Sequence, residues 1–412
     1  MGIVLFIVGV ILAGATIITF FPIRRDPLSG TSFVVGWLTS ELAAQIFVLN
    51  AVLVTIVCVE GATNSTLGSI GLALDLLGAV LLVVLVILGR FHARALVERS
   101  LATIPGFPVD ATDELANPRW SRWWRSALAI PLPGKKIEAI KGLRYAPGSG
   151  PSHTLDLYRP AAGVEGAPVM LYIHGGAWVI GDKREQGKPM MFELVSRGWV
   201  CVSINYRLSP KATWPDHIVD VKMAIVWVKE HIAEFGGDPS FVVISGGSAG
   251  GHLASLAALS ANDPAFQPGF EEAETTVDAC VSLYGVLDMT ADPATSGIHG
   301  PGLKILLERQ VMKVPIDANR SLFEQASPQY RVRSDAPPFL VLAGTNDTLV
   351  PVAVPRAFVP ALRAVSDAPV GYIELPIAQH AFDVMASPRC SATTAGVVAF
   401  LDAVRVRATA KP

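Results

Sequence analysis

The chain has 412 residues, with 33 Lys plus Arg against 35 Asp plus Glu, for a net charge of −2. That balance, without a basic stripe interleaved with aromatics, excludes a nucleic-acid-binding class. A hydrophobic content of 51% and a mean hydropathy of +0.45 are high for a wholly soluble protein, and the excess lies in the first hundred residues.

Residues 2–21 form an uninterrupted apolar stretch, long enough to span a bilayer. It has no Lys or Arg before its core and no clear cleavage site, so a span is preferred to a signal peptide. A second apolar run covers residues 33–59 and carries Glu41, Gln45 and Asn50. Starting that span near Leu42 leaves Glu41 at the boundary. A third covers residues 67–88, where Asp75 needs a partner from another helix. Residues 1–89 are therefore expected to hold about three transmembrane helices. Arg24 and Arg25 follow the first, Arg90, Arg94 and Arg99 follow the third, and residues 60–66 carry no basic residue. Three spans with the basic ends inside predict a cytoplasmic catalytic domain on a plasma or inner membrane; two or four spans would alter this.

Residues 90–135 form a connector. Within it Trp120, Trp123, Trp124, Ala127 and Leu128 share a helical face flanked by arginines. That pattern suits a helix at the headgroup level or a cap over the site. From residue 136 to 412 strands and helices alternate as in an α/β fold, a mostly parallel central sheet flanked by helices. Strands are expected at 137–145, 153–158, 169–173, 200–206, 241–244, 280–284, 338–343 and 370–374. Residues 289–335 break the pattern with several Pro and Gly and are a possible lid insertion. The four cysteines are scattered, suggesting neither a disulfide framework nor a metal site.

The chemistry is carried by motifs at strand ends. Phe241 to Ile244 runs into Gly246-Gly247-Ser248-Ala249-Gly250, a strand, a G-x-S-x-G turn and then a helix. Such a turn exposes a serine hydroxyl above the sheet, but the hydroxyl needs a base and an oxyanion site. Upstream, His174-Gly175-Gly176-Ala177-Trp178 follows an apolar strand. The expected oxyanion donors are the N–H groups of Gly176, Ala177 and Ala249, with Gly175 as a further candidate. His174 is expected to order this loop. Asp347 lies in the loop after the strand at 338–343, and His380 follows the strand at 370–374. The order Ser248, Asp347, His380 is that of nucleophile, acid and base in α/β-hydrolases. Asp288 competes for the acid role, and Asp383 is read as a helix cap. His153, His217, His231, His252 and His299 are read as surface residues. Position 252 is His rather than Lys, which excludes a phosphate-binding loop.

These stretches, with Asn205-Tyr206-Arg207-Leu208-Ser209-Pro210 and Gly236-Gly237-Asp238-Pro239, resemble the hormone-sensitive-lipase-like group of α/β-hydrolase carboxylesterases and lipases, over roughly residues 136–408. The membrane-anchored plan resembles bacterial members. Two positions depart from the group: Ala177 replaces a usual third glycine, and Gly247 stands where many members carry Asp. The resemblance implies a serine carboxylic ester hydrolase acting on a hydrophobic ester or lipid, with no cofactor and no metal. An acyltransferase or deacylase on membrane lipids using the same residues, and a non-catalytic ligand receptor, are the alternatives. Neither acyl-chain length nor alcohol group follows from the residues.

Overall fold

The computed structural model describes residues 1–107, 129–132, 134, 136–146, 150–296 and 302–409. The amphipathic face expected at 120–128 and His299 lie outside them.

The apolar N-terminal region folds into helices α1 (Gly2–Phe20), α2 (Ser29–Glu41), α3 (Ala43–Val59) and α4 (Thr66–Ile87). The Ser65 side chain caps α4 by accepting the Gly68 N–H at 3.2 Å. A π turn at Leu88–His92 carries α4 without a break into α5 (Ala93–Ala102). Two helices, Gly2–Phe20 and the continuous Thr66–Ala102, are long and apolar enough to cross a membrane. The second apolar run is not one rod. It breaks at Leu42, where α2 and α3 meet at 82°, because the Glu41 carboxylate is taken up by the rest of the protein. Glu41 is buried, accepts a bond from Ser387 Oγ at 2.6 Å and pairs with Arg389.

Helices α1 and α4 run side by side in the same direction, Gly9 lying on Gly71 and Gly78 on Leu12. A Cβ placed on Gly71 would stand 2.5 Å from the Phe6 backbone, so this approach depends on a missing side chain. Asp75 finds its partner on α3, where Asn50 Nδ2 donates to Oδ1 at 2.9 Å.

The remainder builds one eight-stranded sheet: β1 (Ile137–Arg144), β2 (Thr154–Pro160), β3 (Ala167–Ile173), β4 (Val200–Ile204), β5 (Gly237–Gly247), β6 (Ala279–Leu283), β7 (Phe339–Gly344) and β8 (Val370–Leu375). The order is β1-β2-β4-β3-β5-β6-β7-β8. Strand β2 runs antiparallel to both neighbours and the rest are parallel. Alternation along the strands divides the core in two. Val169, Leu171 and Ile173 face helices α7 (Asp216–His231), α8 (Ala249–Leu259) and α9 (Ala353–Val365), while Met170 and Tyr172 face α6 (Lys188–Ser196) and α10 (Pro388–Thr409). Helix α5 joins this second face through Ala93, Val97 and Leu101, followed by Ile104. Part of the segment expected to be a connector is thus a helix of the body's own core.

The sequence order reverses between β3 and β5, and both strands deliver their C-terminal loops into one crevice, as open α/β sheets do at such a switch. Because α1 touches α4 backbone to backbone, Gly71→Val should cost ~1–3 kcal/mol by overpacking. Thermal denaturation in detergent should show a lower Tm than for the wild type, with Gly14→Val, whose Cβ would meet nothing, as the control.

Candidate active site

Ser248 sits between β5 and α8 with φ of 57° and ψ of −121°, a conformation few side chains adopt. The turn can be this sharp because Gly250 presses against the end of the neighbouring strand β3: a Cβ there would stand 2.1 Å from the Ile173 carbonyl oxygen. The Ser248 N–H donates to Leu283 O at 2.9 Å, tying the turn to β6. Gly247 has a separate reason. Its Cβ would meet Tyr284 Oη at 2.7 Å, so a side chain such as Asp has no room here beside Tyr284.

Asp347 and His380 come together from the loops after β7 and β8. His380 Nδ1 donates to Asp347 Oδ2 at 2.7 Å, with both side chains buried. The other Asp347 oxygen accepts the N–H groups of Leu349 and Val350, each at 2.8 Å, so the carboxylate is fixed on both sides. Since a carboxylate only accepts, the proton is on Nδ1 and Nε2 is left with its lone pair. Gln379 holds the loops in register: its Oε1 accepts the N–H of Thr348 and of His380, each at 3.0 Å.

The competing acid is used elsewhere, since Asp288 Oδ1 accepts the N–H and hydroxyl of Thr290 at 2.8 and 2.7 Å. Asp383 is not a helix cap. It is buried and accepts the Tyr284 hydroxyl, whereas Ser387 Oγ takes the Cys390 N–H at 3.1 Å in the first turn of α10. The histidines expected at the surface divide. His231 is half-exposed, but His153, His217 and His252 are buried. His252 accepts the Trp178 indole N–H at 3.2 Å and donates to Ala326 O at 2.7 Å, and burial pushes it down to about 4, so it stays neutral.

The loop after β3 turns through three left-handed residues, Gly176 (φ 122°), Ala177 (φ 54°) and Trp178 (φ 60°). His174 orders it: Nδ1 donates to Gly175 O at 2.7 Å, the ring stacks on Tyr206 at 4.5 Å, and burial lowers its pKa. The Gly175 N–H is committed to Gln186 Oε1 at 2.7 Å, which removes Gly175 from the oxyanion candidates. Gly176 and Ala177 N–H groups meet no acceptor among the described residues.

Ser248, His380, Gly176 and Ala177 line one cavity of about 560 Å³. Tyr284 lies against the imidazole at 4.5 Å between ring centroids. Sequence reasoning missed Tyr284, although its place at the end of β6 was a signal. It also missed Arg24, Ser29 and Phe33, cavity residues from the apolar N-terminal region that no local motif reveals. Ala291, Pro293, Leu303 and Leu306 come from the irregular segment expected to form a lid.

Residues 155–362, just over half of the chain, match the BD-FAE family model. The probable carboxylic ester hydrolase LipM of Mycobacterium tuberculosis is 54% identical over 61% of this chain, and esterase LipQ of the same organism 49% identical over 67%. The matches span 58% and 65% of those relatives' own lengths. Among solved structures, a truncated carbohydrate esterase from gut microbiota superposes with a TM-score of 0.57 at 24% identity, covering 66% of this chain and 99% of that one, which shows a shared fold.

Asp383 offers a pH test beside the site. Its carboxyl is pushed up to about 6 from the ordinary 3.8, first by burial, with Glu41 adding to the rise and Tyr284 and His380 opposing it. A raised carboxyl stabilises the fold in its protonated form, fully below about pH 4, and that contribution is lost as pH rises through about 6. Relative to Asp383→Asn, the wild type should lose ~3 kcal/mol between about pH 4 and pH 7. Paired denaturation curves across that range measure the difference, and parallel curves would exclude a raised carboxyl.

Proposed function

The chain belongs to the BD-FAE family, and on that footing we propose that it is a membrane-anchored serine carboxylic ester hydrolase in which Ser248, His380 and Asp347 form the catalytic triad. The observation that carries the reading is the 2.7 Å bond from His380 Nδ1 to Asp347 Oδ2, at the edge of the cavity that Ser248 also lines. Two relatives named as ester hydrolases, at 54% and 49% identity, support the reaction class.

Ser248 Oγ attacks the ester carbonyl as His380 Nε2 takes its proton, forming the Oγ–C bond and an oxyanion. Asp347 keeps the imidazole in the required tautomer and stabilises it once protonated. The N–H groups of Gly176, Ala177 and Ala249 receive the oxyanion, where loss of one donor typically costs ~3–4 kcal/mol. The intermediate collapses with cleavage of the C–O bond to the alcohol, which takes the proton from His380. Water then repeats the sequence on the acyl-enzyme and regenerates Ser248.

The anchor is assigned to the helices Gly2–Phe20 and Thr66–Ala102, with the bent pair α2 and α3 as a third crossing. Arg24, Arg25, Arg90 and Arg94 lie at the helix ends nearest the catalytic body, which by the charge bias of membrane proteins assigns that body to the cytoplasm. The substrate class is a hydrophobic ester.

Hydrolysis of p-nitrophenyl esters from short to long acyl chains by the full-length protein in detergent tests this reading. Ser248→Ala should lower turnover by about four orders of magnitude or more, as removal of a triad nucleophile does. Unchanged turnover in that variant would sink the triad. Acyl transfer to an added alcohol in preference to water would reassign the protein as an acyltransferase, and failure of Ser248 to react with a fluorophosphonate would favour a receptor.

A further inference from the structure

Helix α2 leaves α3 at 82° and lies across the mouth of the cavity. Ser32, Gly36, Thr39 and Ser40 are buried along it, and the half-buried Ser29, Phe33 and Trp37 fall at helical spacing beside them. Ser29 and Phe33 line the cavity beside Ser248 and His380. The Phe33 ring meets the His380 imidazole edge to face at 6.0 Å and stacks on Trp37 at 5.8 Å. Trp37 Nε1 donates to Ala381 O at 3.0 Å, on the residue following the histidine. Gly36 faces Gln379, where a Cβ would stand in ordinary contact at 3.4 Å from Gln379 Cγ, and Gln379 is the side chain that ties Thr348 to His380.

The loop carrying Asp347 is held from the same side. Arg24 Nη2 donates to Thr345 O at 2.7 Å, Asn346 Nδ2 donates to Thr19 O at 2.8 Å, and Thr348 Oγ1 donates to Ser29 O at 3.0 Å. Every residue from Thr345 to Thr348 other than Asp347 thus bonds to α1, α2 or the turn between them. A pure anchor needs none of these bonds, which reach the two loops the reaction depends on.

We infer that α2 belongs to the catalytic apparatus: Trp37 and Phe33 are positioning residues for His380, and Phe33 is also a wall of the substrate pocket that sets which acyl chains are accepted. The inference rests on the hydrolase reading above. It assigns the substrate class as amphiphilic esters whose chain packs along Phe33 at the foot of the apolar helices. Outward-facing Val34 and Leu38, 46% and 36% exposed, continue the apolar surface of α3 on the other side of the same helix.

The test compares full-length wild type, Trp37→Phe, Phe33→Ala, Phe33→Leu and Val34→Ala in one detergent, reading kcat and KM on p-nitrophenyl esters of increasing chain length, the rate of fluorophosphonate labelling of Ser248, and Tm. Trp37→Phe keeps an aromatic ring but removes one bond, and should lower kcat and labelling by about 2- to 10-fold at every chain length with KM little changed. Phe33→Ala should lower kcat by about 10-fold or more through a displaced imidazole, and should move the preferred ester to a longer chain. Phe33→Leu should recover most of kcat, and Val34→Ala should match the wild type. A reduced kcat with an unchanged Tm separates positioning from unfolding. If Trp37→Phe and Phe33→Ala keep the wild-type kcat, labelling rate and chain-length profile, α2 is an anchor only and the inference is overturned. If wild type itself shows no Ser248-dependent turnover or labelling, the hydrolase reading falls first and this one with it.

Discussion

One buried carboxylate decides how the two parts of this molecule meet. Glu41 lies at the end of an apolar helix, fully shielded from solvent, and both its oxygens are taken by residues at the start of α10, Ser387 and Arg389. Desolvating such a pair costs several kcal/mol per ion, so the contact adds little net stability, but breaking it by removing one partner costs ~3–5 kcal/mol. What the pair supplies is position. It stops α2 from continuing into α3 and presses α2 down on the loops after β7 and β8. The 82° bend is the geometric outcome.

The loops carrying Asp347 and His380 gain from this because an α/β sheet leaves them under-supported. Loops at strand ends run over the surface and are held by few backbone partners of their own. Here the Asp347 loop borrows partners from α1 and α2, and the His380 loop borrows Trp37. Asp347 in turn spends one oxygen on the Leu349 and Val350 N–H groups and keeps the other for the imidazole. The result is a pair of loops tied to each other by Gln379 and held from outside by the N-terminal helices.

What was legible in the sequence was what depends on neighbours in the chain. The strand before Ser248, the glycines around it and the loops carrying Asp347 and His380 are local patterns, and a mostly parallel sheet follows from the alternation of strands with helices. The break at Leu42 was half visible, because Glu41 in an apolar run demanded a boundary. What escaped depends on contacts across hundreds of residues. Phe33 and Trp37 read as ordinary apolar residues of a span until the fold brings them 340 or so positions along the chain to His380 and Ala381. His252 read as a surface histidine because its partners, Trp178 and Ala326, are 74 residues away on either side. Asp383 read as a cap because a caplike Asp stands before a helix, yet Ser387 is nearer the first turn and Tyr284 offers the carboxyl a hydroxyl inside the core.

The placement of the cavity also bears on what can reach it. Its rim carries Ile180, 68% exposed, and Leu349, 36% exposed, and on the far side of α2 the apolar surface continues into α3. Exposed apolar area of this kind is unusual on a surface that faces only water, and contiguous patches mark contact with lipid or a partner. An interfacial helix buries such a face in the headgroup region while its other face stays with the protein. For α2, the protein face is the catalytic pocket. On the proposed membrane placement, a hydrophobic ester dissolved in a bilayer would be concentrated beside the cavity that Ser248 lines, whereas the same ester in water is scarce. Binding energy that an aqueous enzyme would need to extract its substrate is then not required, and the pocket's shape at Phe33 is free to discriminate among chains.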